Sequence, residues 1–280
     1  MTSLDIDYSA RWRSTSEMDQ TPIYTSRNLL RHFSLKTHCF RELLSSLRRY
    51  DLEAEYKVES RYLAQLVCGM HKTAESVSIP METAPLLRMA ELSWPRIQTL
   101  ALHGRYITPG QPALLQSVLT RMPSLRSLRV QVAQLPAFSR PRILNPLVSL
   151  DLAELRSLTI AYPDPDDAIF SLKTPHLTHL SLRDEPRYYF YLRNRDFLPS
   201  SAVAPILGAS ECLAILQRMD VPLLSSLELV YEADAGEHEL LHHVSTSYPD
   251  LAQLELHRYR ANDIDVVPYV RRGFDRRKVC

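Results

Sequence analysis

The chain has 280 residues, 45% of them hydrophobic, and its 33 lysines and arginines against 32 aspartates and glutamates leave a net charge of +1. Such a chain can bury a sizeable core in one or two domains, and its near-zero net charge excludes a global field that attracts nucleic acid or an anionic membrane. The 4 cysteines lie far apart, the first residues lack a signal-peptide pattern, and no apolar run approaches the ~20 residues that span a bilayer. We therefore expect an intracellular protein, cytoplasmic or nuclear, in which electrostatic recognition is local.

The first 73 residues divide into two predicted parts. Residues 1–26 are polar and aperiodic, so we expect a disordered leader. In residues 27–73 the apolar side chains recur at steps of three and four, which is typical of helices that bury one face, and we predict a helical cap. These side chains form two runs: Leu29, Leu30, Phe33, Phe40, Leu43, Leu44 and Leu47, then Tyr62, Leu63, Leu66 and Val67.

From Ala74 onward the chain repeats one short phrase. The clearest copy is Pro123-Ser-Leu-Arg-Ser-Leu-Arg-Val130, in which Leu125, Leu128 and Val130 are the apolar marks. Its last four residues alternate apolar and polar, as in a short strand that buries one face, and the proline suits the strand's entry. The first marks of the copies are Ala74, Ile97, Leu125, Leu155, Leu177, Leu224 and Leu251.

Most gaps between the copies have the pattern of an amphipathic helix. A strand, a helix and a parallel strand make a right-handed coil, and stacked coils bury a continuous core. A period of about 20 to 30 residues with one strand per repeat is typical of leucine-rich-repeat solenoids. We predict an α/β fold over residues 74–262, with short parallel strands on a concave face, helices on the convex face and the helical cap at the N-terminal end. The helical gaps contain Leu86/Leu87/Ala90, Leu114/Leu115/Val118/Leu119, Ile143/Leu144/Leu147/Val148 and Leu240/Leu241/Val244.

Over about residues 74–260 the repeat pattern resembles the leucine-rich-repeat part of fungal F-box and leucine-rich-repeat-like proteins. The chain departs from the usual repeat because other residues stand where an Asn or Cys is expected after each strand. These residues are Arg105, Ala133, Pro163, Glu185, Glu232 and Tyr259. The side-chain ladder of a regular horseshoe is then missing, so we expect irregular curvature.

Part of the N-terminal segment is similar to an F-box. Asp51-Leu52 followed by Val58 and Tyr62 resembles the second half of that motif, and Glu42-Leu43-Leu44 resembles its first half at a shorter spacing. A plain helical cap accounts for the same residues, so residues 27–73 are a cap or a degenerate F-box remnant. The second interpretation implies a substrate receptor of a ubiquitin ligase that binds a Skp-type adaptor through residues 40–66.

The largest step between copies, from Leu177 to Leu224, contains an arginine and tyrosine-rich segment from Arg183 to Arg195. A predicted long helix with apolar residues from Ala204 to Met219 follows it. Residues 183–221 are either an insertion with an exposed aromatic anchor or a degenerate extra repeat that buries half of its aromatic side chains. The sequence leaves both interpretations open.

His238-Glu-Leu-Leu-His242 matches the signature of zinc proteases, in which two histidines one helical turn apart bind the metal. A buried stripe of Leu240, Leu241 and Val244 places both histidines and the glutamate on the outward side of the helix. A catalytic zinc needs a third ligand and a dry cleft. We therefore expect no metal and no cofactor, and we keep a zinc hydrolase as a remote alternative.

Two short features have ordinary structural interpretations. Asp166 or Asp167 is placed to cap a short helix at residues 168–172 by accepting free amide protons. Residues 263–280 form a basic C-terminal tail, and such a run is usually a solvated chain end.

The residues between the apolar marks predict a binding surface. Arginine is frequent there in the middle copies, whereas Glu228 and Glu255 occupy the last two. We predict a non-enzymatic scaffold for protein–protein interaction whose partner presents an acidic or phosphorylated segment. We expect Arg126, Arg129 and Arg156 to form a basic patch that continues to Arg187 and Arg193. The candidate binding residues are Arg126, Arg129, Arg156, His179, Arg183, Arg187, Tyr188, Tyr189, Tyr191 and Arg193.

Overall fold

The computed structural model describes residues 3–7, 30–37, 52–134, 140–147, 150–185, 187 and 205–260. They form a 10-stranded sheet whose strands all pair in parallel. Neighbours in the sheet follow chain order, except that β7 pairs directly with β9 and the short β8 also pairs with β9. The strands are β1 (Ser3–Asp7), β2 (His32–Lys36), β3 (Ser76–Pro80), β4 (Thr99–Arg105), β5 (Ser127–Ala133), β6 (Ser157–Ala161), β7 (His179–Arg183), β8 (Leu207–Gly208), β9 (Ser226–Glu232) and β10 (Gln253–Tyr259).

Helices connect most of the neighbouring strands, as parallel pairing requires. The first helix precedes β3, and the others lie between β3 and β4, between β4 and β5, between β8 and β9, and between β9 and β10. A short 3-10 helix, Ala168–Ser171, lies between β6 and β7. The α-helices are α1 (Leu52–Gly69), α2 (Leu86–Glu91), α3 (Gln111–Leu119), α4 (Ala209–Arg218) and α5 (Glu237–Ser247).

The apolar marks of successive strands lie side by side in the sheet, so the prediction of parallel strands in register is confirmed. Most of these side chains are buried and join the helices in one hydrophobic core. The result is an α/β architecture compatible with a repeat. One row contains Val77, Leu100, Leu128, Leu158, Leu180, Leu227 and Leu254, and the next contains Ile79, Leu102, Val130, Ile160, Leu182, Leu229 and Leu256.

The N-terminal residues differ from the sequence prediction. Residues 3–7 form β1, although the leader was expected to be disordered, and residues 32–36 form β2, although a helix was expected. Phe33 and Leu35 are buried, and Phe33 aligns with Val77 in the sheet. Over so short a run the spacing of apolar residues fits both a helix and a strand, and pairing with β3 favours the strand. The predicted helix at Tyr62 to Val67 is confirmed by α1.

Two other predicted helices also differ. Among residues 140–147 the structure has no helix, because the Asp167 carboxylate accepts the backbone N–H groups of Ile143 and Leu144 and holds the chain in an irregular path. The long helix expected from Ala204 begins only at Ala209, since β8 pairs with the end of β9 instead.

The predicted cap of the short helix is confirmed and assigned to Asp167. Its Oδ1 accepts the N–H of Ile169 at 2.9 Å, at the start of the 3-10 helix. Together with its bonds to Ile143 and Leu144, this carboxylate accepts three backbone N–H groups and joins two stretches of backbone. No helix in the described part of the chain is long and apolar enough to cross a membrane.

Candidate functional site

The side of the sheet opposite the core carries aligned polar residues, and we call it the polar face. Because the strands are in register, equivalent residues on neighbouring strands lie about 4.8 Å apart. Its central and C-terminal part consists of Ser127, Arg129 and Gln131 on β5, Ser157 and Thr159 on β6, His179, Ser181 and Arg183 on β7, Ser226 and Glu228 on β9, and Gln253, Glu255 and His257 on β10.

Arg126, Arg129 and Arg156 form a group that we call the basic patch. Arg126 and Arg156 immediately precede β5 and β6, and the N–H of Arg156 donates to the carbonyl of Arg126 at 2.8 Å. Arg129 aligns with Thr159 on β6. All three are exposed, and within the described ranges none of them forms an ion pair. Their positive charges are therefore open to an external ligand.

Arg183 extends the positive charge toward β7. It aligns with Ala161 on β6, and this small side chain leaves room for the guanidinium to reach β5. With its amide oxygen turned toward Arg183, Gln131 accepts hydrogen bonds from Nε at 3.2 Å and from Nη1 at 3.0 Å. Because the amide is neutral, these bonds orient Arg183 and leave its charge in place.

At the other end of the polar face, Asp184, Glu228 and Glu255 form what we call the acidic end. Glu228 and Glu255 align on β9 and β10. Arg187 donates to Glu228 Oε1 and, at 3.3 Å, to the buried Asp184, while the Ser181 hydroxyl donates to Glu228 Oε2 at 2.6 Å. Burial acts to raise the pKa of Glu228, but the bonds from Ser181 and Arg187 outweigh it and lower that pKa below its ordinary value.

His257 completes the acidic end. Its Nε2 lies 2.7 Å from Glu255 Oε1 and 3.8 Å from Glu228 Oε1. In the described part of the chain, these three side chains form the group whose metal-ligating atoms lie within 4.8 Å of one another. Both oxygens of Glu228 are already bound by Arg187 and Ser181, so a cation would have to displace a guanidinium. The arrangement fits an ion-pair network better than a metal site.

The residues predicted for binding fall in both regions. Arg187 was expected to continue the basic patch, but it lies in the acidic end between two carboxylates. His179 is exposed on β7, with Nδ1 2.8 Å from the hydroxyl oxygen of Thr178. Tyr188, Tyr189, Tyr191 and Arg193 lie outside the described residues.

Sequence reasoning did not identify Gln131, His257 or Asp184 as part of the site. Continuing the apolar and polar alternation two residues beyond the last counted position of each copy would have placed Gln131 and His257 on the polar face. Asp184 has no comparable signal, because the residue follows β7 in an irregular stretch where alternation has ended.

The zinc-protease match lies on α5, away from these groups. His238, Glu239 and His242 are all exposed, as predicted, while Leu240 and Val244 are buried. The expectation that Leu241 is buried was wrong, because this side chain is exposed. Within the described ranges, neither histidine belongs to a group of three metal-ligating side chains.

A cleft of about 530 Å³ lies beyond the ends of β4 and β5, and Tyr106, Gln134, Arg140 and Arg142 are among its lining residues. The guanidinium of Arg140 stands 3.9 Å from the centre of the Tyr162 ring and donates to Glu211 at 2.7 Å. Arg142 donates to Asp164 at 2.9 Å. Both cations are thus paired with carboxylates of the protein, in contrast to the basic patch.

A comparison of the chain with protein-family models and with curated proteins gives no match. The resemblance to F-box and leucine-rich-repeat-like proteins therefore has no support beyond the motifs that suggested it. The functional interpretation depends on the geometry and charge of the polar face.

Proposed function

We propose that the chain is a non-enzymatic protein-interaction module, built as a leucine-rich-repeat-like solenoid, whose polar face binds an acidic or phosphorylated segment of a partner protein. The aligned rows provide a broad polar surface with exposed arginines beside it, which suits an extended segment better than a small substrate that needs a closed pocket.

The observation that carries this proposal is the absence of ion-pair partners for the three arginines of the basic patch within the described ranges. Six other described arginines do have such partners, and the patch differs from the unpaired and exposed Arg61, Arg96 and Arg121 in its position at β5 and β6. Guanidinium groups bind carboxylates and phosphates through paired hydrogen bonds, and their charge steers an acidic partner during association. Arginines paired with carboxylates are Arg31, Arg88, Arg140, Arg142, Arg187 and Arg258.

The test replaces the patch by acidic residues. We expect the triple variant Arg126→Glu, Arg129→Glu, Arg156→Glu to lose more than tenfold in affinity for a partner captured by the wild-type protein and identified by mass spectrometry. The loss should be smaller at 500 mM salt than at 50 mM salt, because the Debye screening length, about 10 Å at 0.1 M salt, becomes shorter as the salt concentration rises.

A matched control carries the same change of charge elsewhere. Arg61, Arg88 and Arg121 are exposed on α1, α2 and the turn after α3, and we expect their replacement by glutamate to leave the affinity within about twofold of wild type. Equal affinity of the wild-type protein and a folded patch variant would refute the proposal.

A second candidate function has one observation in its favour. Val58 and Tyr62, one turn apart on α1, are exposed to 53% and 48% although both are large and apolar. Such a pair suits a docking surface for a Skp-type adaptor of a ubiquitin ligase. A pull-down of that adaptor by the full chain should succeed, and the variant Val58→Asp, Tyr62→Asp should fail. No retention of the adaptor by the wild-type chain would exclude this function.

A further inference from the structure

We propose that the partner segment is charge-separated and crosses the strands, so that an acidic group binds the basic patch while a basic group about six residues away binds the acidic end. This inference rests on the proposed function, because it describes the occupant of the same polar face. It adds a second contact of opposite sign and a spacing between the two.

The opposite charges occupy fixed places in the sheet. Arg129 lies on β5 and Glu255 on β10, and the order of the sheet between them is β5, β6, β7, β9 and β10. Four intervals of about 4.8 Å give a separation of about 19 Å. An extended segment advances about 3.3 Å per residue, so about six residues connect the two contacts.

The acidic end has a carboxylate available to a ligand. Glu255 gives Oε1 to His257, its side chain is 31% exposed, and within the described residues its Oε2 has no hydrogen-bond donor. Asp184 and Glu228 both contact the guanidinium of Arg187, whereas Glu255 contacts His257 and, within the described residues, forms no ion pair with an arginine or lysine. A lysine or arginine of the partner would therefore be attracted to Glu255.

The same arrangement selects against uniformly acidic partners. A segment long enough to run from the basic patch to β10 with acidic residues throughout would place like charges over Glu228 and Glu255. Such juxtaposition weakens binding and suppresses wrong partners. A segment with one acidic and one basic end interacts favourably at both contacts. Binding to the polar face therefore depends on the order of the charges along the segment as well as on its net charge.

The experiment uses fluorescent peptides and the full-length chain. Each peptide has two adjacent glutamates and two adjacent lysines in a Ser/Gly background, centred three, six or twelve residues apart, and a fourth peptide keeps only the glutamates. We expect fluorescence anisotropy at 50 mM salt to show about fivefold tighter binding at the spacing of six than for the other three peptides.

Variants separate the two contacts. In Glu255→Lys the advantage of the six-residue spacing should disappear and the peptide with glutamates alone should bind at least threefold tighter than it binds wild type. Glu239→Lys, the same change on the exposed side of α5, should leave all four affinities unchanged. The triple Arg-to-Glu variant of the basic patch should weaken every peptide more than tenfold.

The outcomes distinguish this inference from the function on which it rests. Binding that needs the basic patch but ignores spacing and Glu255 overturns the charge-separated partner and leaves the proposed function intact. Peptide binding that survives reversal of the patch, or no peptide binding to the wild-type chain, overturns both.

Discussion

Arg129 of the basic patch and Glu228 and Glu255 of the acidic end lie in one row of the polar face, yet the two regions treat charge in opposite ways. The three arginines of the patch are exposed and, in the described part of the chain, form no ion pairs. At the acidic end, by contrast, Arg187 bridges Asp184 and Glu228, and His257 contacts Glu255. The ion pairs of the acidic end tie the segment after β7 to β9, whereas the charges of the patch form no such link within the described residues.

This difference shows two roles for a charged side chain on a repeated surface: an ion pair within the fold, or a contact with an external ligand. Arg126 and Arg156 lie side by side immediately before two adjacent strands, where like charges repel each other. Repulsion within such a pair lowers the stability of the free protein, and binding of an external anion relieves it. Substitutions in each region test this difference separately.

The largest expected effect on stability follows from removing the cation of the acidic end. Arg187→Met leaves the buried Asp184 and the mostly buried Glu228 without its positive charge. Removing one partner of a buried ion pair costs about 3–5 kcal/mol, and partial exposure of this site reduces our expectation to about 2–4 kcal/mol. Urea unfolding at pH 7 measures the change.

The matched change in the other region is Arg129→Met. An exposed arginine without an ion-pair partner in the described residues should contribute less than about 0.5 kcal/mol, so this variant should unfold with the wild type. If both variants had the same stability, the distinction between a paired and an unpaired region would be lost.

A smaller effect is expected from Ser181→Ala, which removes the hydroxyl that donates to Glu228 at 2.6 Å. A hydrogen bond to a charged group is worth about 1.5–3 kcal/mol, and partial access of water lowers our expectation to about 1–2 kcal/mol. Ser127→Ala, a change at the basic patch's end of the face, serves as the control and should leave stability unchanged.

The pH dependence of Ser181→Ala provides a second readout. Because the folded state lowers the pKa of Glu228, the native protein binds that proton more weakly than the unfolded chain does, and the stabilisation is present above the ordinary pKa and lost as pH falls below it. The variant should therefore differ from wild type at pH 7 and approach it at low pH. A difference that stays constant with pH would show that Glu228 is not the group involved.

Much of the fold was predictable, because the repeated phrase determines both which residues are buried and which strands align. Leu128, Leu158 and Leu180 were marked from sequence alone, and they lie side by side in the sheet. The errors occur where two patterns fit one short run. Leu30 and Phe33 have the three-residue step of a helix, whereas Phe33 and Leu35 alternate as in a strand, and pairing with β3 selects the strand.

The candidate site was predictable to a lesser degree. The exposed arginines follow from their places between the apolar marks, which is a local property of the sequence. The bridge from Arg187 to Glu228 spans 41 residues and depends on the path of the chain after β7 and on the direct pairing of β7 with β9. Neither is encoded in the spacing of apolar residues, so Arg187 was assigned to the wrong end of the face.

The smallest expected effect concerns Glu185, which follows Asp184 at the acidic end. The pKa of Glu185 is raised to about 7, mainly by burial. The positive charges of Arg183 and Arg187 act to lower this pKa, and the negative charge of Asp184 acts to raise it. The folded protein then holds this proton more tightly than the unfolded chain, so stability falls as pH rises from the ordinary carboxyl pKa toward 7, and the full cost is present above that pH.

Glu185→Gln keeps the shape of the side chain and removes the titration. We expect the variant to gain about 1 kcal/mol over wild type at pH 8 and almost nothing at pH 4, in urea unfolding at both pH values. In a protein that keeps Glu185, Arg183→Gln should lower the free energy of unfolding further at pH 8, because it removes a cation that favours the charged carboxylate. An equal difference between Glu185→Gln and wild type at both pH values would mean that Glu185 does not titrate in this range and that the negative charge of the acidic end stays constant through neutrality.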